Sequence, residues 1–350
     1  MQVEVKGKII LSLIQPTVDA INSLKIAQFF LFLPCFAKGF YLTKSLFQSL
    51  KQSLQQSLNM PKFAANLSML YPELPFLERF AAAAADGFTG VEYFFPYAFT
   101  PEAVSAKLQA AGLQQVLLNA PAGGTDTASM AHAWDVSGMR GTACLPNRIE
   151  EFRNTLPLAL EYAQALNCPR LHVLAGIVPP EWRGKLDETQ NKTQLHAQLR
   201  ETYLENLAWA AGLARRVGVD ILIEPINTRD MPHYFLNYQA QAHEIVQTLN
   251  LSNVKVQFDL YHCQIMEGDL ITKIRQYLPT GRVGHIQIAG VPDRNEPNFG
   301  ELNYAEICAV IDEVSQACAW DGWVGCEYRP RMGAQAGGTS TGLAWMKAIL

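Results

Sequence analysis

The stretch ILIEPIN at residues 221–227 constrains this chain more than any other. Three aliphatic residues in a row read as a strand buried on both faces. The run stops at a carboxylate followed by Pro225, which cannot continue a central strand. A Glu at the C-terminal lip of a buried parallel strand is where an α/β barrel places its chemistry. Three later segments repeat the design: VKVQFDLYH reaches Asp259, RVGHIQIAG reaches Gln287 and GWVGCEYRP reaches Glu327. These four residues are roughly 30 to 40 apart, about one strand–helix unit each in a barrel of about 250 residues. Four oxygen-bearing side chains on four successive strand ends would converge on one point, which is a metal-site pattern.

From Met60 onward apolar runs and helical stretches alternate, and the spacing predicts eight of each. Strands are expected at 62–67, 89–93, 114–119, 170–174, from 221, at 254–259, 283–288 and 322–326. Helices are expected at 74–86, 101–111, 148–166, 193–217, 238–249, up to 278, at 304–317 and up to 349. A Gly-rich loop at 120–146 carries His132 and Trp134. Sequential parallel strands need such crossovers, so the fold class is α/β, a (β/α)8 TIM barrel with an extra N-terminal extension.

Residues 1–59 do not match the rest. The apolar run at 26–37 is too short for a bilayer that needs about 20 residues. A Ser/Gln/Leu-rich segment follows at 45–60. The simplest expectation is that Met60 begins the functional protein and that 1–59 reflect an over-extended start. At 350 residues, 49% hydrophobic and 17% charged, the chain can bury a large core. Its net charge of −4 gives no broad basic field, which argues against nucleic acid as a partner. Seven cysteines without a C-x-x-C pair read as reduced thiols of a cytoplasmic protein, with Cys144, Cys263 and Cys326 as buried small residues. No membrane segment is expected in 60–350, and homo-oligomerisation is left open.

Three carboxylates and one amide oxygen, from Glu224, Asp259, Gln287 and Glu327, are hard ligands that select Mg²⁺ or Mn²⁺ over zinc. One strand-end acid alone would be an ordinary helix cap; four at matching positions point to a shared site. His262, three residues past Asp259, is placed to contact a substrate oxygen. Arg294, in the loop after Gln287, is placed to hold an anionic group. His172, inside the fourth strand, reads equally as core or site, whereas His285 lies deeper on the face of Gln287 and reads as structural. The run GAQAGGTSTG at 333–342 reads as a flexible loop, lacking the spacing of a phosphate cradle.

The segments FAANLSMLYPELPFLERF (63–80), GFTGVEYFFPY (87–97), LIEPIN, FDLYHCQIMEGDL (258–270), GHIQIAG, EPNFGELNY and GWVGCEYRP resemble hydroxypyruvate isomerase. That family includes the 2-oxotetronate isomerases and belongs to the xylose-isomerase-like barrels. The resemblance runs from about Met60 to the C-terminus. It implies that Glu224, Asp259, Gln287 and Glu327 bind a divalent metal, Mg²⁺ or Mn²⁺, and that Glu224 and Glu327 form the acid–base pair. It implies that His262 and Arg294 hold a small hydroxy-oxo acid. The implied reaction interconverts an α-hydroxy ketone and its aldose isomer through a cis-enediolate. Departures occur at Gly290, Val291, Asp293 and Asn295, at His233 where a Gly is usual, and in longer loops after strands three and four. The runner-up is a ketose 3-epimerase, in which a His commonly stands at the strand-seven ligand position that Gln287 occupies here. An abasic-site endonuclease would need a His-rich multi-zinc cluster and a basic groove. A binding protein without catalysis would leave the acids without a task.

Overall fold

Each apolar run that the sequence ends in a polar residue is a strand, and the strands close on themselves. The computed structural model describes residues 61–180 and 189–349; the expected extension at 1–59 and its boundary with Met60 lie outside them. The strands are β1 (Lys62–Asn66), β2 (Gly90–Tyr93), β3 (Gln114–Asn119), β4 (Arg170–His172), β5 (Asp220–Ile223), β6 (Val254–Asp259), β7 (Val283–Ile288) and β8 (Trp323–Cys326). They form a closed parallel barrel in sequence order, β8 pairing back onto β1. The register sets Asn66 opposite Glu92, Asp259 opposite Gln287 and Gln287 opposite Gly325, so these polar positions share one layer. Below it the lumen is filled by Ala64, Val116, Leu117, Leu222 and Trp323. It is a packed core and not a pore.

The helices are α1 (Arg79–Ala85), α2 (Pro101–Ala111), α3 (Thr127–Ala133), α4 (Ile149–Ala165), α5 (Thr189–Arg216), α6 (Gln239–Leu249), α7 (Leu260–Met266), α8 (Leu270–Tyr277), α9 (Tyr304–Cys318), α10 (Gly338–Gly342) and α11 (Ala344–Ile349). Four differ in kind from the sequence reading. The predicted helix at 74–86 opens as a 3-10 turn over Phe76–Glu78 behind Pro75, so α1 starts late. The loop at 120–146 contains α3, which Asp126 caps by accepting from the Ser129 amide while Ser129 Oγ accepts from the Asp126 amide. The helix after β6 breaks in two at Gly268, whose φ of +64° a glycine adopts without strain. The run at 333–342 ends in the short α10. The fourth strand also stops at His172, two residues early.

Around the barrel the helices bury their apolar stripes, such as Phe152, Leu156, Ala159 and Leu160 on α4. Each fully buried aliphatic or aromatic side chain contributes about 1.5–3 kcal/mol. Among the polar groups buried with them is an imidazole. His243 of α6 stacks flat on Tyr277 of α8, ring centroids 3.9 Å apart, and neither of its ring nitrogens has a hydrogen-bond partner. Burial, with the nearby Arg282 charge adding to it, lowers its pKa from 6.5 to about 4. The unfolded chain takes up this proton first as pH falls. The stabilisation is therefore complete above pH 6.5 and disappears as pH drops toward 4, a loss of about 3 kcal/mol. In His243→Phe, urea melts should show that acid-side loss reduced by about this amount. An unchanged slope between pH 6.5 and 4 would mean that the proton is taken up elsewhere.

Candidate active site

Four strand ends meet at the C-terminal mouth, and the local sequence explains why each side chain points there. Glu224 follows β5 directly, and Pro225 ends the strand. Asp259 closes β6 and caps α7, accepting from the amides of Tyr261 at 2.7 Å and His262 at 3.3 Å. That cap leaves its other oxygen, Oδ2, facing the pocket. Gln287 is the fifth residue of β7, and Glu327 follows β8. All four are buried.

His262 rides on the first turn of α7, with its Nε2 3.6 Å from Asp259 Oδ2 and 3.9 Å from Glu224 Oε1. Burial, followed by the Arg294 charge, pushes its pKa well down, so the ring is neutral. Arg294 is 6% exposed, which removes the reading of a solvated loop arginine. Its Nη2 bonds Glu327 Oε1 and lies 3.5 Å from Asp259 Oδ2, while the guanidinium sits over the Tyr261 ring at 4.9 Å. Its Nε–H is buried without a partner. The loop is tied at its backbone: Arg294 N donates to Gly290 O, and Arg294 O accepts from Arg329 N, both at 2.8 Å.

The electrostatics of this cluster are lopsided. Burial, then the charges of Glu327 and Asp259, raises the Glu224 carboxyl well above its usual range. Burial likewise raises Asp259 and Glu327, against the pull of Arg294. Three buried carboxylates thus face one guanidinium, and Glu224 Oε1 has no hydrogen-bond partner. Glu224, Asp259 and His262 offer ligand atoms all within 4.8 Å of one another. A set dominated by carboxylate oxygens suits a hard divalent cation, which would also balance the excess negative charge.

Gln287 stands differently from its three companions. Its Nε2 donates to Glu92 at 2.7 Å and its Oε1 accepts from Gln257 at 2.6 Å, so the amide is locked into the floor with one lone pair of its oxygen left over. Glu92, on β2, is the centre of that floor. It accepts from Asn66 at 2.9 Å as well as from Gln287, and its other oxygen meets His285 Nε2 at 2.6 Å. Gly325 makes room for it, since a Cβ there would fall 2.3 Å from Glu92 Oε2. His285 is accordingly a floor residue, as its depth suggested. His172 instead reaches the site, with its Nε2 3.5 Å from Glu224 Oε2; burial, then the proximity of His285, lowers its pKa to about 3 and keeps it neutral.

Sequence reasoning passed over Glu92, Gln257, Asn227 and Asp230. Glu92 carried a signal, an acid near the end of an apolar strand, while the others have only long-range partners to identify them. The cysteines near the mouth are buried and free, and burial raises the thiol pKa of Cys144, Cys263 and Cys326. They are packing groups, not nucleophiles. His233 adopts φ +66°, which is why a glycine suits that position. Gly290 has no space for a side chain, because a Cβ would lie 2.4 Å from Phe299 O.

Fold and site together define an α/β-barrel enzyme with an acid cluster at the C-terminal mouth of its strands. The family described as xylose isomerase-like TIM barrel matches residues 80–349. A 2-oxo-tetronate isomerase of Cupriavidus necator is 49% identical over 291 residues, 83% of this chain and 99% of that protein. The hydroxypyruvate isomerase of Escherichia coli K12 is 39% identical over 82% of this chain and 98% of its own length. A crystal structure from Brucella melitensis, described as an AP endonuclease of family 2, superposes with a TM-score of 0.71 at 42% identity, covering 83% of this chain and 99% of that one. The chain belongs to the hydroxypyruvate isomerase and 2-oxo-tetronate isomerase family of xylose isomerase-like TIM barrels, and is an enzyme of the isomerase class.

Proposed function

We propose that this protein interconverts a short 2-oxo acid bearing a neighbouring hydroxyl with its aldehyde isomer, the substrate being 2-oxotetronate or hydroxypyruvate. The observation that carries the acid assignment is Arg294, a buried arginine beside the carboxylate cluster with a free Nε–H. A buried guanidinium with an unused donor suits a planar carboxylate, which would hold the substrate in line with the acid pair. Similarity to relatives named for these two activities supports the same reading.

Glu224, Asp259 and Glu327 would hold a divalent cation, Mg²⁺ or Mn²⁺, with Gln287 contributing the free lone pair of its amide oxygen. When bound, such an ion supplies electrostatic stabilisation of the negative charge that develops on the two substrate oxygens. Glu224 and Glu327 follow β5 and β8, three places apart in the barrel, with Asp259 of β6 and Gln287 of β7 between them. One takes the proton from the hydroxyl-bearing carbon, giving a cis-enediolate. The other returns a proton to the neighbouring carbon while the hydroxyl proton passes between the two adjacent substrate oxygens, so that no atom is gained or lost. Burial, which raises both carboxyls, brings them toward the range in which a carboxyl can accept and release a proton near neutral pH. His262 faces the same space and would hold a substrate oxygen.

The barrel, residues 60–350, would carry this activity in the cytoplasm; among the described residues no helix is long and apolar enough to cross a membrane. A nuclease reading lacks support, since the metal-capable cluster found among the described residues contains one histidine. Rates measured side by side on 2-oxotetronate, hydroxypyruvate and a neutral ketohexose test the proposal. Turnover of both acids is expected, with 2-oxotetronate faster, little on the hexose, loss with a chelator, and recovery with Mg²⁺ or Mn²⁺. Faster turnover of the hexose would overturn the acid assignment in favour of a 3-epimerase. Full activity in metal-stripped protein would remove the cation from the mechanism.

A further inference from the structure

We infer that Asn227 and Asp230 lock His262 into one tautomer, with the proton on Nε2, and so make it a fixed hydrogen-bond donor to substrate and not a metal ligand. This rests on the isomerase reading for its catalytic consequence, but its geometric part does not. The Asp230 backbone N–H can only donate, and it points at the Asn227 side chain at 2.8 Å. The atom that receives it must be the amide oxygen. The amide NH₂ of Asn227 is therefore turned the other way, where it donates to Asp230 Oδ2 at 3.1 Å and to His262 Nδ1 at 2.6 Å. The backbone N–H of Asn227 also points at Nδ1, at 3.4 Å. A ring nitrogen facing two donors must offer its lone pair.

In a neutral imidazole the proton then sits on Nε2. From there it points between Glu224 Oε1, 3.9 Å away, and Asp259 Oδ2, 3.6 Å away. Both distances exceed a hydrogen bond, so no protein acceptor consumes this donor. Arg294 Nη2, at 3.4 Å, is a donor facing Nε2, but this one long contact is outweighed by the 2.6 Å amide donor and the backbone N–H that both face Nδ1. A substrate oxygen entering this gap meets an N–H already aimed at it, with no reorganisation needed. Asp230 also accepts from Tyr261 Oη–H at 2.9 Å, and the Tyr261 ring lies under the guanidinium of Arg294. One carboxylate outside the acid cluster thus orients both groups proposed to hold the substrate. Asn227 and Asp230 are positioning residues, acting through His262 and Tyr261.

The experiment is histidine ring ¹⁵N NMR on the full chain without substrate, with the His262 signals assigned by their loss in His262→Gln. In the native protein Nδ1 is expected to show the shift of an unprotonated nitrogen and Nε2 that of a protonated one. Asn227→Asp replaces the donor by an acceptor, and is expected to move the proton to Nδ1. It should also lower kcat by about 10- to 100-fold on the acid substrate. A native spectrum with the proton on Nδ1 overturns the inference even if Asn227→Asp does not fold. So does an Asn227→Asp protein that keeps the proton on Nε2, or one that moves it without loss of kcat. The spectra need no substrate, so absence of isomerase activity in the native enzyme would count against the proposed reaction and leave the tautomer result standing.

Discussion

Glu224→Gln and Glu327→Gln should each lower turnover by about 100-fold or more while keeping most of the metal. The change retains an oxygen that can ligate but removes the group that carries a proton, and about 100-fold is the lower end for general acid–base catalysis. The structure adds a reason to expect large effects at both positions. Each carboxyl is buried beside the other two acids, and burial shifts both upward in pKa. Removing the Glu224 charge relieves repulsion with no ion pair lost, so Glu224→Gln should fold at least as stably as the parent, whereas Glu327→Gln also gives up the charge bonded to Arg294 and its fold is checked by urea melts. That separates lost chemistry from lost structure. Turnover and bound metal measured on the same preparations decide the matter. Metal and activity falling together would make the two residues ligands only, with the proton carried by another group.

The second large effect is expected in Arg294→Ala. This change deletes the counter-charge bonded to Glu327 and close to Asp259, and with it the candidate partner of the substrate carboxylate. Truncating one member of a buried, hydrogen-bonded charge pair typically costs about 2–5 kcal/mol, so kcat/KM on the acids should fall by about 30-fold or more. Residual turnover of a neutral hydroxy ketone should fall far less. Arg294→Lys should recover little, because an ammonium cannot reproduce a planar fork. Equal losses on acidic and neutral substrates would assign Arg294 to keeping the acid cluster together and not to recognising substrate.

How much of this could be read from the chain differs by kind of contact. Strands β5 to β8 are legible because an apolar run ending in a polar residue has one reading in an α/β barrel, and Asp259, at the end of β6, sits where that pattern puts it. The break between α7 and α8 is less so, because Leu, Ile and Tyr continue at helical spacing across Gly268. The 3-10 turn before α1 was hidden in the same way behind Pro75. Contacts across the barrel are not legible at all from one chain. Glu92 and His285 meet over a separation of 193 residues, and Gln287 finds Glu92 over 195. Asn227 and His262 are 35 apart, and nothing in LIEPIN or FDLYH states that one ring nitrogen faces the other's amide. The burial of Arg294 belongs to this class too, since loop arginines usually remain in water.

The floor around Glu92 has a consequence for how such an enzyme can change over generations. Asn66, Glu92, His285 and Gln287 tie β1, β2 and β7 across the lumen from beneath the acids. The groups that would select the substrate hang from loops above, on 289–301 and on the segment after β5. Positions of these loops such as the half-buried Asn295 and the exposed His233 can therefore be exchanged while the layer that aligns the acids stays in place. Gly325 belongs to the opposite regime, because any side chain there strikes Glu92. Changes at the rim can reshape the pocket, whereas the foundation leaves almost no freedom for change.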